Sequence, residues 1–225
     1  MSAGSVVVIG GGAAGIVAAA RAASLGVKTL LLEKGPKLGR KLRISGKGRG
    51  NITNTADLNE FIEAFSPNGK FLYGAFSRFF RDDLFELLSD LGVPTKEERG
   101  GRVFPASDSA ADVVDALEKW MMDSGARVRL NTRARSIVVD AEAVTGIGVY
   151  GGALSADAVV LAVGGASYPR TGSTGDGYDM AREVGHTIIS PRPALLALVV
   201  REPWVGRLQG LSLRNVQATL MLSGP

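Results

Sequence analysis

The sequence predicts an α/β fold: a parallel sheet flanked by helices, with a β-meander and the start of a second, β-rich region near the C-terminal end. Three observations carry that prediction. Val6-Val7-Val8-Ile9 is a β-branched run cut off by Gly10-Gly11-Gly12-Ala13-Ala14-Gly15, an alanine-rich helical run follows to Leu25, and Lys28-Thr29-Leu30-Leu31-Leu32-Glu33 opens after Gly26. A second apolar run, Asp157 to Val163, ends in Gly164-Gly165. Between them Ala134 to Val139 and Val144 to Tyr150 alternate as meander strands do. Strand, helix and strand in immediate succession form a βαβ unit, which places its strands parallel and its helix on one face.

The first turn carries the chemistry. Gly10 permits the tight turn, Gly12 lets backbone approach a pyrophosphate, and Gly15 lets the helix pack on the strand. The amides of Ala13 and Ala14 open the helix, where a helix N-terminus favours an anion. Glu33 falls at the tip of the second strand, about 20 residues on, where a carboxylate can accept from a ribose diol. An acid there repels the extra phosphate of NADP and leaves FAD and NAD open. A glycine turn that served packing alone would leave Glu33 without a use.

Composition narrows the chemistry. The chain has 225 residues, 45% hydrophobic and 21% charged, which is ordinary for a globular protein. It has no cysteine and one histidine, so disulfides, thiolate metal sites and thiol redox chemistry are excluded and no metal centre is expected. Redox chemistry would have to come from a bound cofactor. The N-terminal apolar run lacks the basic leader of a signal sequence, and no run is long enough to span a bilayer, so a cytoplasmic location is expected.

The net charge of +4 is local. Lys34, Lys37, Arg40, Lys41, Arg43, Lys47 and Arg49 follow Glu33 without an intervening acid, and the rest of the chain is acidic overall. Within Gly39 to Asn54, glycines alternate with bases, a pattern that presents backbone amides beside cationic side chains to phosphate. A solvated basic loop is the plainer alternative. A nucleic-acid patch ranks last, because few aromatic residues are interleaved to stack bases.

These motifs together resemble the HI0933-like (YhiN/BaiN-type) family of FAD-dependent flavoproteins: Gly10 to Gly15, Leu31-Leu32-Glu33-Lys34, Gly39-Arg40-Lys41, and Ser45-Gly46 through Arg49, Asn51, Thr53 and Asn54. Arg102-Val103-Phe104-Pro105, Ala166 to Tyr178 and Leu208 to Leu213 extend the likeness. Gly50 stands where the family usually has cysteine, and Val163 where it usually has threonine. The resemblance implies a Rossmann-like FAD-binding domain. It puts Arg40 and Lys41 along the adenosine and pyrophosphate, and Ser45, Gly46, Arg49 and Asn51 toward the flavin ring, with Lys34 among the cofactor-binding residues. By the same resemblance Ala134 meets the adenine through its backbone, and Ala162, Gly164 and Gly165 approach the cofactor at the sheet edge.

The remaining elements follow in order. Residues 57–92 show helical spacing and hold most of the phenylalanines, read as packing residues. Ser109 with Asp112 reads as a capping box for a helix burying Val113, Leu117, Trp120 and Met121. Arg127 to Leu130 reads as a strand that Ala134 to Val139 continues. Asp176 reads as the N-cap of a helix stopped by Gly185, within a segment whose Tyr168, Arg170 and Thr171 could meet a substrate; His186 is a weak acid–base candidate. Pro193 to Val200 and Asn215 to Leu222 read as strands.

The domain expectation is a FAD-binding domain over 1–190, with the helical insertion at about 57–92, and a β-rich second domain begun in 191–225 that is too short to bury a core or pairs with another copy. The functional expectation is an oxidoreductase passing hydride between FAD and a small-molecule substrate or a transient NAD(P)H. The alternative is a truncated, non-catalytic dinucleotide-binding module. No residue earns a catalytic assignment.

Overall fold

The computed structural model describes residues 4–65, 67–193, 199–211, 216, 219 and 221. The chain divides into two compact units, Met1–Ile188 and Ile189–Pro225. In the second, the described residues include a 3-10 turn at Pro203–Leu208. The strands expected over Pro193 to Val200 and Asn215 to Leu222 lie mostly outside the described residues.

The first unit is built on β1 (Ser5–Ile9), α1 (Ala13–Ser24) and β2 (Lys28–Leu32), the expected βαβ unit. Next come α2 (Arg40–Ile44), β3 (Thr53–Asn54), α3 (Leu58–Glu63), α4 (Tyr73–Phe76) and α5 (Arg81–Asp90). The chain goes on through β4 (Thr95–Glu98), β5 (Arg102–Pro105), α6 (Ala110–Asp123), β6 (Arg127–Arg129) and β7 (Ala134–Asp140). It closes with β8 (Ala143–Val149), β9 (Gly152–Ser155), β10 (Ala158–Leu161) and α7 (Asp176–Glu183).

Four strands form a parallel sheet in the order β10-β1-β2-β6. Successive residues of β1 point to opposite faces, so Val8 enters one apolar core and Val7 and Ile9 the other. On the first face α1 and α6 cover the sheet through Ile16, Ala19, Ala20, Val113, Leu117 and Met121. On the second, the antiparallel meander β7-β8-β9 and α7 close over it through Ile147, Ala134 and Met180.

Three expectations are corrected. β6 and β7 are not one run: Asn131 takes a φ of 50° and turns the chain, so β6 joins the parallel sheet and β7 the meander. Ser109 is the N-cap of α6, but its hydroxyl donates to Asp112 at 2.9 Å instead of capping backbone. Asp176 is the first residue of α7, and Gly175, at a φ of 85°, takes the cap position. A third sheet, β3-β5-β4, brackets the helical segment, β3 before it and β4 and β5 after it. There Phe61, Phe76 and Phe80 pack ring against ring at 5.3–5.4 Å, whereas Phe71 is 89% exposed.

Candidate functional site

The carboxyl ends of β1, β2 and β10 open into a cavity of about 420 Å³. Its floor is the glycine turn. Gly10 holds a φ of 105°, and a Cβ there would stand 2.6 Å from the Ala162 carbonyl oxygen. A Cβ on Gly15 would stand 1.8 Å from the Gly10 oxygen, so this residue seats α1 on β1. Gly12 differs: a Cβ there would meet nothing within 4 Å, and its φ of −82° is ordinary. The space above Gly12 is therefore a cradle kept open by the missing side chain. The amides of Ala13 and Ala14 at the start of α1, which have no carbonyl one turn earlier, stand beside it.

Glu33 sits at the tip of β2. Its carboxylate accepts from the Gly11 amide at 2.8 Å and the Gly35 amide at 2.6 Å, which fixes it at the cavity edge with acceptor capacity left.

The acid-free basic run splits in space. Lys34, Lys37, Arg40 and Lys41 line the cavity. Lys34 Nζ donates to Thr174 Oγ1 at 2.6 Å and to Asp176 Oδ2 at 3.0 Å; Arg40 Nη2 donates to the Arg170 carbonyl at 2.5 Å; Lys41 Nζ reaches Ser167 Oγ at 3.2 Å. Residues 167–176 thus form one wall, with Thr171, Gly172 and Ser173 lining it. Arg43 turns away to Asp115 at 2.6 Å.

Asp176, largely buried, accepts from Thr174, Lys34 and, at 2.8 Å, Arg133. Burial pushes its carboxyl up, but the Thr174 and Lys34 hydrogen bonds and the charges of Lys34 and Arg133 outweigh that and hold it at about 2.

Of the residues singled out in the sequence, Gly10, Gly12, Ala13, Ala14, Glu33, Lys34, Arg40, Lys41, Ser45, Ala134, Ala162 and Gly164 line this cavity. Gly15 and Gly165 stand behind it, Gly165 accepting from the Gly175 amide at 3.2 Å. Gly46, Arg49 and Asn51 do not line it. Left-handed turns at Gly46, Lys47, Gly48 and Gly50 lead the chain off toward β3. Arg49 is held by Glu98 and Asp108 and stacks 4.3 Å over Phe104. The hydrogen bonds that Arg49 donates to Glu98 and Asp108 raise its pKa; the Arg49 hydrogen bond holds the Glu98 carboxyl, and those of Lys96 and Arg49 the Asp108 carboxyl, below the ordinary range. His186 is exposed and outside the cavity lining.

Thr132, Arg133 and Met180 line the cavity without having been singled out, and Lys37 lines it having been named only as part of the basic run. Lys37 lay within the basic run and Arg133 beside Ala134, so adjacency was the available signal. Among the described residues no group of His, Asp or Glu could hold a metal ion, and no helix is long and apolar enough to cross a membrane.

A parallel sheet whose first strand ends in a glycine turn, with an open cradle at the helix start and an acid at the next strand's tip, defines a Rossmann-type dinucleotide fold. The chain belongs to the family described as HI0933-like protein Rossmann domain, which matches residues 4–224. It is 34% identical over 197 residues to the 3-dehydro-bile acid delta(4,6)-reductase of Clostridium scindens, covering 87% of this chain and 47% of that protein. It is 31% identical over 209 residues to the ribosomal RNA dihydrouridine synthase of Escherichia coli, covering 92% and 50%. The chain spans about half the length of the curated relatives it matches. Among solved structures, a flavocytochrome c3 fumarate reductase in its open conformation superposes with a TM-score of 0.58 at 28% identity over 82% of this chain and 41% of that one. The 3-ketosteroid-delta4-(5alpha)-dehydrogenase of Rhodococcus jostii superposes at 0.59 and 20% identity, over 81% and 54%.

Proposed function

We propose that this chain is the FAD-binding part of a flavin-dependent reductase whose substrate carries a carbon–carbon double bond conjugated to a carbonyl. The observation that carries the cofactor reading is the open cradle at Gly12, in a cavity lined by Lys34, Lys37, Arg40 and Lys41 and by Glu33. A pyrophosphate fits that space: the Ala13 and Ala14 amides point a helix N-terminus at it, and Lys34, Arg40 and Lys41 supply charge. Glu33 accepts from a ribose diol and disfavours a 2′-phosphate. Ala134 and Arg133 border the adenine end, and Ala162 and Gly164 let the chain lie close to β10.

Bound FAD would supply hydride transfer, fed by a transient NAD(P)H. The protein's part is to hold, orient and balance charge. Asp176 is ionised at neutral pH, so it balances Lys34 and Arg133 and is no proton donor. The substrate class is supported by the relatives' names: a delta(4,6)-reductase of a 3-oxo steroid and a dihydrouridine synthase both saturate a double bond in conjugation with a carbonyl.

The purified chain's visible spectrum, taken with and without added FAD, tests this reading. Flavin absorbance that bleaches with NADH or NADPH is expected. A colourless chain that takes up no FAD overturns it, and bound flavin that neither nucleotide reduces favours a non-catalytic binding module.

A further inference from the structure

The wall formed by residues 167–176 is held by the very bases that line the cavity. Lys34 Nζ donates to Thr174 Oγ1 and Asp176, Arg40 Nη2 to the Arg170 carbonyl, and Lys41 Nζ to Ser167 Oγ, so three bases of the acid-free run tie down both ends and the middle of one short segment. Ser167, Arg170 and Thr174 stand outside the cavity lining; the three bases are in it. The segment's backbone does not favour this shape by itself. Its 3-10 turn at Pro169–Thr171 is bracketed by Tyr168, at a φ of 57°, and Gly172, at 101°. A tyrosine takes a left-handed conformation only where its surroundings impose it. Here the Thr171 amide and hydroxyl donate to the Tyr168 carbonyl at 2.9 and 2.7 Å, and Lys41 Nζ stands 6.0 Å from the centre of the Tyr168 ring.

Arg43 and Arg49 are neutralised by Asp115, Glu98 and Asp108. The partners that the segment offers Arg40 and Lys41 are uncharged oxygens, which fix the position of a cation and leave its charge in place. The segment takes two of the three N–H groups of Lys34, one of the three of Lys41 and one of the five of Arg40, so each base keeps donors for a second acceptor. We propose that residues 167–176 are a strap that closes on a phosphate-bearing ligand: the closed strap holds Lys34, Arg40 and Lys41 at the phosphates, and phosphates held by these bases keep the strap closed. Ser167 and Thr174 are then positioning residues that act on the ligand through Lys41 and Lys34. By linkage, the factor by which the closed strap tightens the ligand is the factor by which the ligand suppresses strap opening. The coupling presupposes the pyrophosphate proposed for the cavity.

Limited trypsin digestion of the chain, stripped of nucleotide, tests this by cleavage after the exposed Arg170, with the exposed Arg99 in the turn between β4 and β5 as reference site. Cleavage tracks the open fraction where opening and closing are fast. For a strap open about a third of the time and a ligand about tenfold tighter on the closed form, saturating ADP should slow cleavage at Arg170 about sevenfold and leave Arg99 unchanged. Adenosine, which lacks phosphates, should protect neither. The variant Ser167→Ala/Thr174→Val, raising the opening constant about tenfold, should be cut about 2.5-fold faster without ADP and bind ADP about threefold more weakly by calorimetry, at the parent's thermal melt. ADP that binds without protecting Arg170 overturns the strap and leaves the pyrophosphate reading standing. Equal protection at Arg99, or adenosine protecting Arg170 as well as ADP does, also overturns the strap. Failure of ADP to bind overturns the pyrophosphate reading and the coupling with it. Should the variant melt early, the contrast between ADP and adenosine on the parent decides without any substitution.

Discussion

Replacing Gly12 with alanine should weaken cofactor binding and leave the fold standing, while the same change three residues later should destabilise the fold. At Gly12 the added methyl group meets nothing within 4 Å and the backbone is already in a region alanine favours. Two small terms oppose each other: alanine is poorer than glycine at an N-cap by about 0.5–1 kcal/mol, and it stiffens the unfolded chain by about 0.4–1 kcal/mol. The melting temperature should therefore stay within about 2 °C of the parent. The methyl group occupies the cradle and holds a phosphate off the Ala13 and Ala14 amides. Losing one charge-assisted hydrogen bond costs about 1.5–3 kcal/mol, so the FAD dissociation constant should rise roughly 10- to 100-fold. At Gly15 the methyl group lands 1.8 Å from the Gly10 carbonyl oxygen, and α1 must lift from β1. Overpacking of this kind costs about 1–3 kcal/mol, or roughly 3–10 °C. Flavin-fluorescence quenching gives the affinity and a circular-dichroism melt the stability. Parent-like FAD affinity in Gly12→Ala, or a melt lowered as far as that of Gly15→Ala, would refute the placement of the phosphate.

Glu33→Gln should weaken FAD binding about tenfold, read by the same quenching titration, because an amide cannot accept from Gly11, Gly35 and a ribose together. Arg49→Ala should lower the melting temperature and leave the FAD dissociation constant unchanged, since its partners are Glu98, Asp108 and the Phe104 ring; weaker FAD binding would put the loop back at the cofactor. Asp176 is depressed from an ordinary 3.8 to about 2, so its contribution to stability is present above about pH 4 and lost as pH falls toward about 2. Acid titration of the melting temperature should show that loss in the parent and a shallower one in Asp176→Asn.

The βαβ unit, the glycine turn, Glu33 and the strand ending at Gly164 were legible because each is a short-range pattern: β-branched runs, helical periodicity and glycines at fixed offsets. The meander was legible from alternation. β4 was not, because Thr95-Lys96-Glu97-Glu98 has no strand composition and is held only by pairing with Arg102 to Pro105. The basic run was legible as a charge and not as a shape. Arg43 and Arg49 are turned from the cavity by Asp115, Glu98 and Asp108, acids far along the chain that no local pattern connects to them. The bulge that the β7–β8 pairing makes at Arg135 depends on the register of two strands, which alternation alone does not specify.

The strand order β10-β1-β2-β6 has a consequence for synthesis. β1 and β2 leave the ribosome together, but the neighbour on the other side of β1 is β10, and Asp157, which clamps Ser5 through its amide at 2.6 Å and its hydroxyl at 2.7 Å, precedes that strand. At roughly 5–20 residues per second, the edge of β1 stays open for on the order of 10–30 s on a nascent chain. The cavity wall at Ala162 to Gly164 arrives later still. The cavity is thus finished near the end of the first unit's translation, although the glycine turn that forms its floor emerges before its other walls.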